Sequence, residues 1–310
     1  MLNGRALCRS LSDATDRWLA EVFEAAVAGT KGRFALVATG GYGRGELAPF
    51  SDLDVLLLHD SPKAVSAVAE RLWYPIWDAA RGADKIKLGH AVRTVKEAKA
   101  LASEDLDTAT ALLTSRHLAG DANLTADLIS VITSDWRSRR AHWLAILAEG
   151  VASRHESAGE AAFLLEPNVK ESSGGLRDIH ALRWAEAAGA LIAPADRAAL
   201  AQAEDTLLDV RVALHRATGR AGDVLLLQEQ DAVAPLAGFT DADALMAAVS
   251  AAARRVVWIG EETWSRVNGR APSGNDHALA SGVLLHGGEV ELDPAADPAA
   301  DETLMLRVAR

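Results

Sequence analysis

Apolar positions recur at helical spacing over residues 10–29, at Trp18, Leu19, Val22, Phe23 and Ala26, and Ser12 or Asp13 can cap that run. The period then changes. Residues 33–39 are a nearly continuous apolar run that stops at Gly40-Gly41, the pattern of a buried strand running into a turn. Residues 42–48 can begin a short helix. Asp52-Leu53-Asp54 leads directly into Val55-Leu56-Leu57-Leu58, a second buried strand with two carboxylates at its entrance. Residues 61–81 read as a helix with Ser61 and Pro62 at its N-cap and first position, and Trp73, Ile76 and Trp77 facing inward. Residues 85–95 read as a third strand, with Ile86 and Leu88 alternating.

Beyond this point the pattern is helical. Residues 105–119 are expected to form a helix with Arg116 and His117 in its last turn and Gly120 as its stop. Residues 124–155 read as one long amphipathic helix. Leu128, Ile132, Trp136, Trp143, Ile146 and Leu147 lie on its inner face, and Arg137, Arg139 and Arg140 face outward. Further helices are predicted over 176–190 and 194–218, the latter with Leu200, Leu207, Leu208, Val210 and Leu214 inward and His215 and Arg216 as structural residues. Residues 231–239 approach a last long helix over 240–268, with Thr240 or Asp241 as cap and Trp258 and Trp264 inward. After Ala271 the character shifts: a linker at 272–276, a hairpin over 283–292 with a Gly-Gly turn, a low-complexity stretch at 293–301 and a candidate strand at 304–309. The expected fold class is α+β. An N-terminal helix (1–30) is followed by a small mixed-sheet domain (31–121), an all-α domain (122–271), and a linker with a short β segment (272–310).

Composition narrows the function classes. The 310 residues carry a net charge of −11, which argues against a nucleic-acid-binding surface, since that needs clustered Lys and Arg. The single cysteine, Cys8, cannot close an internal disulfide, which fits a reducing compartment. Neither a signal peptide nor an 18-residue apolar span is present, so a cytoplasmic protein without a membrane partner is expected.

The chemistry concentrates in residues 36–58, LVATGGYGRGELAPFSDLDVLLL. Alternate residues of a strand share a face, so Asp52 and Asp54 project to one side at the strand entrance. Side by side they repel unless a cation lies between them. Mg²⁺ held by one or two carboxylates together with substrate phosphates is the usual arrangement in nucleotide chemistry. Gly40 and Gly41 let the backbone approach a phosphate. Arg44 could contact a triphosphate or be a solvated charge, and Ser51 could orient Asp52 or cap its own turn. Taken singly, an Asp-x-Asp is most often a solvated strand end and a Gly-Gly most often a turn. Their combination at this spacing is far more specific.

Strand, Gly-Gly, and Asp-x-Asp about ten residues on resembles the signature of the DNA polymerase beta-like nucleotidyltransferases. The wording GGYGRGELAPFSDLD, and a second segment LLEPNVKESSGGLRDIH at 164–180, resemble the bacterial PII-protein uridylyltransferase family. A related glycine-bearing segment occurs in glutamine synthetase adenylyltransferase, whose own glycine motif reads differently. A tRNA nucleotidyltransferase is disfavoured by the acidic charge.

The resemblance implies a nucleotidyltransferase moving UMP from UTP to a tyrosine of the PII nitrogen-regulatory protein, with Mg²⁺ as cofactor and pyrophosphate released. An ATP-using PII adenylyltransferase and a non-catalytic nucleotide- or PII-binding module are the alternatives. It implies Asp52 and Asp54 as metal ligands and catalytic residues. Gly40, Gly41, Arg44, Ser51, Lys170 and Arg177 would bind the nucleotide, and Asp178 or Glu166 would hold the second segment or reach a metal. In many polymerase beta-like enzymes a third carboxylate sits on the third strand. Here Gly89 or His90 stands at that place, which leaves Asp84, Glu104, Asp105 and Asp107 as candidates and His90 as a possible ligand or phosphate contact. Family members continue into a phosphohydrolase domain of the His-Asp type and two small ligand-sensing domains. The His-Asp doublet of that domain is expected to be missing here, and with it any removal activity.

Overall fold

A computed structural model describes residues 3–79, 87–268, 277–286, 289–292, 301 and 303–304. The chain divides into two compact units, Met1–Gly260 and Glu261–Arg310.

The first unit opens with α1 (Gly4–Val27), β1 (Phe34–Ala38), the single helical turn α2 (Gly40–Gly43), β2 (Leu53–His59), α3 (Val65–Ala79) and β3 (Leu88–Arg93). Then come α4 (Val95–Ala102), α5 (Leu106–Leu113), β4 (Arg116–Gly120), α6 (Ala122–Ser138), α7 (Arg140–Ala158), α8 (Leu176–Ala188), α9 (Pro194–Thr218), α10 (Leu227–Ala237) and α11 (Ala242–Asn268), the last running on past Gly260. The second unit adds β5 (His277–Ala280), β6 (Val283–His286) and β7 (Glu289–Leu292) as an antiparallel three-stranded sheet. Its β6–β7 pair is the hairpin that the Gly-Gly turn predicts. Most of the 304–309 strand candidate lies outside the described residues.

The four-stranded sheet has the order β3-β2-β1-β4. Strand β1 pairs antiparallel with β2 and β4, and β2 pairs parallel with β3, so the sheet is mixed and the α+β class holds. Leu19 and Phe23 of α1, Leu36 and Leu57 of the sheet, and Val68, Leu72, Trp73 and Ile76 of α3 form one buried core. Helix α6 packs on β1 and β2. With helices on both faces, β1 is buried at every position, which is why its sequence reads as a continuous apolar run rather than an alternating one.

Several elements depart from the sequence expectation. Residues 116–120 are a strand and not the end of a helix. Helix α5 stops at Leu113, and Arg116 and His117 pair with Ala38 and Val37 of β1. Edge pairing outweighs the helix propensity of Leu and Ala in this short piece. The long helix over 124–155 is two helices that meet at Arg139. Arg139 is held there, donating to the Ser103 carbonyl at 2.7 Å and lying over the Trp143 ring. Helix α3 starts at Val65, beyond the Ser61-Pro62 start. Trp258 is 61% exposed and Trp77 36%, so neither is a core residue, unlike Trp73 at 4%. Among the described residues, no single helix is long and apolar enough to cross a membrane.

Candidate active site

The Gly-Gly turn is built by β1, which ends at Ala38 and hands the chain to α2. The Thr39 amide donates to the Asp54 carbonyl at 3.0 Å, fixing the turn to the start of β2. From the other side Arg116 holds the turn. Its guanidinium donates to the carbonyls of Gly43 (3.3 Å) and Tyr42 (3.2 Å) and pairs with Asp16 of α1. The Tyr42 hydroxyl also donates to Asp16, at 2.6 Å. Burial, then that carboxylate, push the Tyr42 phenol far above its ordinary value, so it stays a neutral donor. Asp16 and Tyr42 drew no attention in sequence, yet Asp16 sits three residues before Leu19 on the inward stripe of α1, where a charge needs a reason.

Asp52 is exposed and Asp54 partly buried. Among the described residues neither carboxylate has a hydrogen-bond or ion-pair partner. Burial, and then the Asp52 charge, raise the Asp54 carboxyl above its ordinary value, while Lys170 and Arg44 act in the opposite sense. The pair is therefore close enough to repel, and the charges of Lys170 and Arg44 offset that repulsion only in part. Space has been kept around it. Gly40 has φ +58°, and a Cβ there would sit 3.0 Å from Asp54 Oδ2. Gly89 stands directly across from Asp54 in the parallel register, and a Cβ there would fall far inside contact distance of Asp54 Oδ1. Unpartnered oxygens, mutual repulsion and two side-chain-free neighbours fit a divalent cation.

The third strand supplies no third carboxylate for a physical reason. Any side chain at 89 would displace Asp54. His90 is exposed, lies against the rings of Trp73 (5.1 Å) and Trp77 (5.3 Å), and stands across from Val55 rather than Asp54. Of the other candidates, Asp105 caps α5, Glu104 and Asp107 are exposed, and Asp84 lies outside the described residues.

Arg44 donates to Glu46 Oε2 at 2.7 Å, so it is anchored rather than solvated, and its charge also reaches Asp54. The Ser51 amide closes a turn on the Ala48 carbonyl at 3.1 Å, and its hydroxyl is buried without a partner. The 164–180 segment brings Lys170 toward the aspartates, its Nζ 3.7 Å from Asp223 Oδ2. Arg177 pairs with Glu171 at 3.1 Å and has no direct bond to either aspartate. Asp178 and Glu166 hold the segment. Asp178 accepts from the Gly174 amide (2.7 Å) and His155 (2.9 Å) and pairs with Arg154, while Glu166 accepts from the Leu227 amide. The metal option for these two is not what the geometry uses.

A buried Glu46, His180 and Glu204 come together behind the turn, a grouping the sequence did not reveal. His180 lies within the run 178–182, which is buried throughout. The cluster has the donor types of a metal site, but arginines already balance it. Arg44 takes Glu46, while Arg183 (2.6 Å to each oxygen) and Arg5 take Glu204. It is a charge-paired joint between the GRGE turn, α1, α8 and α9. Burial works to raise Glu46, but contact with His180 and the Arg44 pair hold it well below the usual carboxylate range. Burial, then Arg44, lower His180 below the ordinary histidine value, while Glu46 and Glu204 act in the opposite sense. The expectation that no His-Asp doublet occurs does not hold: His59-Asp60 stands at the end of β2, and there Asp60 accepts from the Arg33 side chain at 2.7 Å and from its amide at 3.0 Å.

Residues 145–263 match the family described as GlnD PII-uridylyltransferase, and residues 20–106 match the nucleotidyltransferase domain. The chain is 47% identical, over 97% of its length, to a bifunctional uridylyltransferase/uridylyl-removing enzyme of Streptomyces coelicolor. It is 38% identical, over 96% of its length, to the one of Mycobacterium tuberculosis. A Pseudomonas fluorescens relative of the same description is 39% identical over 68% of the chain. The chain spans 38% of the length of the first two and 24% of the third.

Proposed function

Because this chain is a homologue of the bifunctional uridylyltransferase/uridylyl-removing enzymes across nearly all of its own length, we propose that it is a nucleotidyltransferase. It moves a nucleoside monophosphate from a nucleoside triphosphate to a protein side-chain oxygen and releases pyrophosphate. The finer reading is UTP as donor and a tyrosine of the PII protein as acceptor, in the cytoplasm.

The observation that carries it is the unpartnered, mutually repelling Asp52–Asp54 pair beside Gly40 and Gly89. Asp52 and Asp54 would hold Mg²⁺, which when bound offsets the charge of the triphosphate and of the leaving pyrophosphate. Gly40 and Gly41 open α2 with amides that lack intrahelical partners and can face phosphate oxygens. Arg44 and Lys170 add positive charge next to Asp54, where the phosphates would lie. Glu46 keeps Arg44 extended, and Asp223 stands beside Lys170, so both cations are oriented before nucleotide arrives. Arg177 and Ser51 complete the proposed nucleotide contacts.

The test is incubation with PII, Mg²⁺ and either labelled UTP or labelled ATP. Label on PII from UTP is expected. Label from ATP alone would reassign the donor. A stable complex with PII and no label from either nucleotide would overturn the enzyme in favour of a binding module.

A further inference from the structure

Three residues upstream of Asp52 the backbone does something costly. Ala48, Pro49, Phe50 and Ser51 form a turn closed by the Ser51 amide on the Ala48 carbonyl at 3.1 Å. Proline fixes its own φ near −65°, and Phe50 has φ +63°, the only positive value at a non-glycine among the described residues. A negative φ followed by a positive one defines a type II turn, whose third position calls for glycine. A bulky residue there is strained. In the type I alternative Phe50 would return to a negative φ, and the Pro49–Phe50 peptide would flip so that the Pro49 carbonyl points to the opposite side.

That carbonyl is held. His215 of α9 is fully buried, and its Nδ1 lies 2.7 Å from the Pro49 oxygen. A carbonyl can only accept, so Nδ1 carries a proton. Nε2 lies 3.2 Å from Asp223 Oδ1. Burial works against ionising Asp223, but His215, Arg211 (2.7 Å) and Lys170 hold its carboxyl far below the usual range, so it too accepts. His215 thus bridges the Pro49 carbonyl and the Asp223 carboxylate through its two ring nitrogens. The base of the turn does not move with the peptide, because Ala48 is packed against Cys8 and Val212.

We infer that His215 is a positioning residue that locks the Pro49–Phe50 peptide in its strained orientation and so sets how the chain enters Asp52 and Asp54. The same Asp223 stands beside Lys170, so one bridge ties the aspartate entrance to the cation that faces it. The catalytic consequence rests on the function proposed above, whereas the lock itself does not.

The contact between the Pro49 Hα and the Phe50 amide proton reads the lock directly: the two protons are close in a type II turn and well apart in a type I turn, whereas the Ser51 amide bonds the Ala48 carbonyl in both. Asn places its amide nitrogen near Nδ1 of a histidine, and Gln near Nε2. His215→Gln therefore loses Pro49 and should weaken the nuclear Overhauser effect between these two protons by about fivefold or more, while His215→Asn stays within about twofold of the parent. Adding Phe50→Gly to His215→Gln relieves the strain and should bring the effect back near the parent. Adding Phe50→Ala keeps the positive φ costly and should not. A role in packing alone would treat Asn and Gln alike and would not respond to glycine at 50. If His215→Gln does not fold, Phe50→Gly and Phe50→Ala decide, with the glycine variant expected to melt higher. An unchanged effect in His215→Gln, rescue by alanine as good as by glycine, or Phe50→Gly melting no higher than Phe50→Ala would overturn the inference. Transfer to PII by the same variants should fall in kcat with His215→Gln and return with the added Phe50→Gly. The predicted pattern in a protein that transfers nothing would overturn the function and leave the lock standing.

Discussion

Gly89 illustrates how a missing side chain can be the functional choice. It stands across from Asp54 on the neighbouring parallel strand, and any Cβ would enter the space of the Asp54 carboxylate. On strand propensity alone Gly89→Ala should be neutral or slightly favourable, since glycine costs roughly 0.5–1 kcal/mol in a strand. We expect Gly89→Ala to keep the melting temperature within a few degrees and to lower transfer at least about tenfold, because Asp54 must turn away. Full transfer by this variant would show that the space beside Asp54 is not needed. Asp52, Asp54, Gly40 and Gly41 were legible in the sequence because their chemistry is local: one strand–turn–strand unit contains all four. The place of Gly89 beside Asp54 was not, because it depends on a parallel register that no short pattern encodes.

At the scale of elements, the joint of Glu46, His180 and Glu204 ties the GRGE turn to α8 and α9. It escaped sequence reading because its members lie far apart in the chain and each looks like an ordinary polar residue. The strand β4 escaped for a related reason. Arg116-His117-Leu118-Ala119-Gly120 has no strong strand propensity, and only pairing with β1 and the anchoring of Arg116 on Asp16 make it extended. The long helices α9 and α11 were legible to within two residues, because many turns of periodic pattern outweigh any single ambiguity. The joint also predicts a pH response. His180 is held below its ordinary value in the folded protein, by burial first and Arg44 second. The unfolded chain takes up this proton first as pH falls through about 6.5, so stability is full above that value and declines below it. The melting temperature should drop between pH 7.5 and 5.5, and His180→Gln should flatten the curve in that window. Parallel curves for the two proteins would place the pH response elsewhere.

For the whole molecule, the aspartate pair is a stability cost as well as the proposed metal site. Burial and the Asp52 charge raise the folded-state value of Asp54, so the folded protein holds this proton more tightly than the unfolded chain. Stability from this group is present at acid pH and is lost as pH rises through its folded value. Without metal at neutral pH, Asp54→Asn should therefore melt higher than the parent. Mg²⁺ should reverse the order: a cation at a hundredfold its Kd stabilises by about 2.7 kcal/mol, and the variant should gain little. Equal Mg²⁺-dependent shifts in the two proteins would mean that the ion binds elsewhere. The net charge of −11 makes the surroundings acidic, and Arg44 and Lys170 are the cations that act on Asp54.

Transfer itself is the most direct measure of the central claim, that Asp52 and Asp54 carry nucleotidyl transfer. Parent and Asp54→Asn, each checked for folding, would be incubated with PII, Mg²⁺ and labelled UTP, and label on PII counted over time. Steady labelling is expected from the parent, and a rate lower by about a hundredfold or more from the variant. Labelling by Asp54→Asn at the parent's rate would contradict the claim.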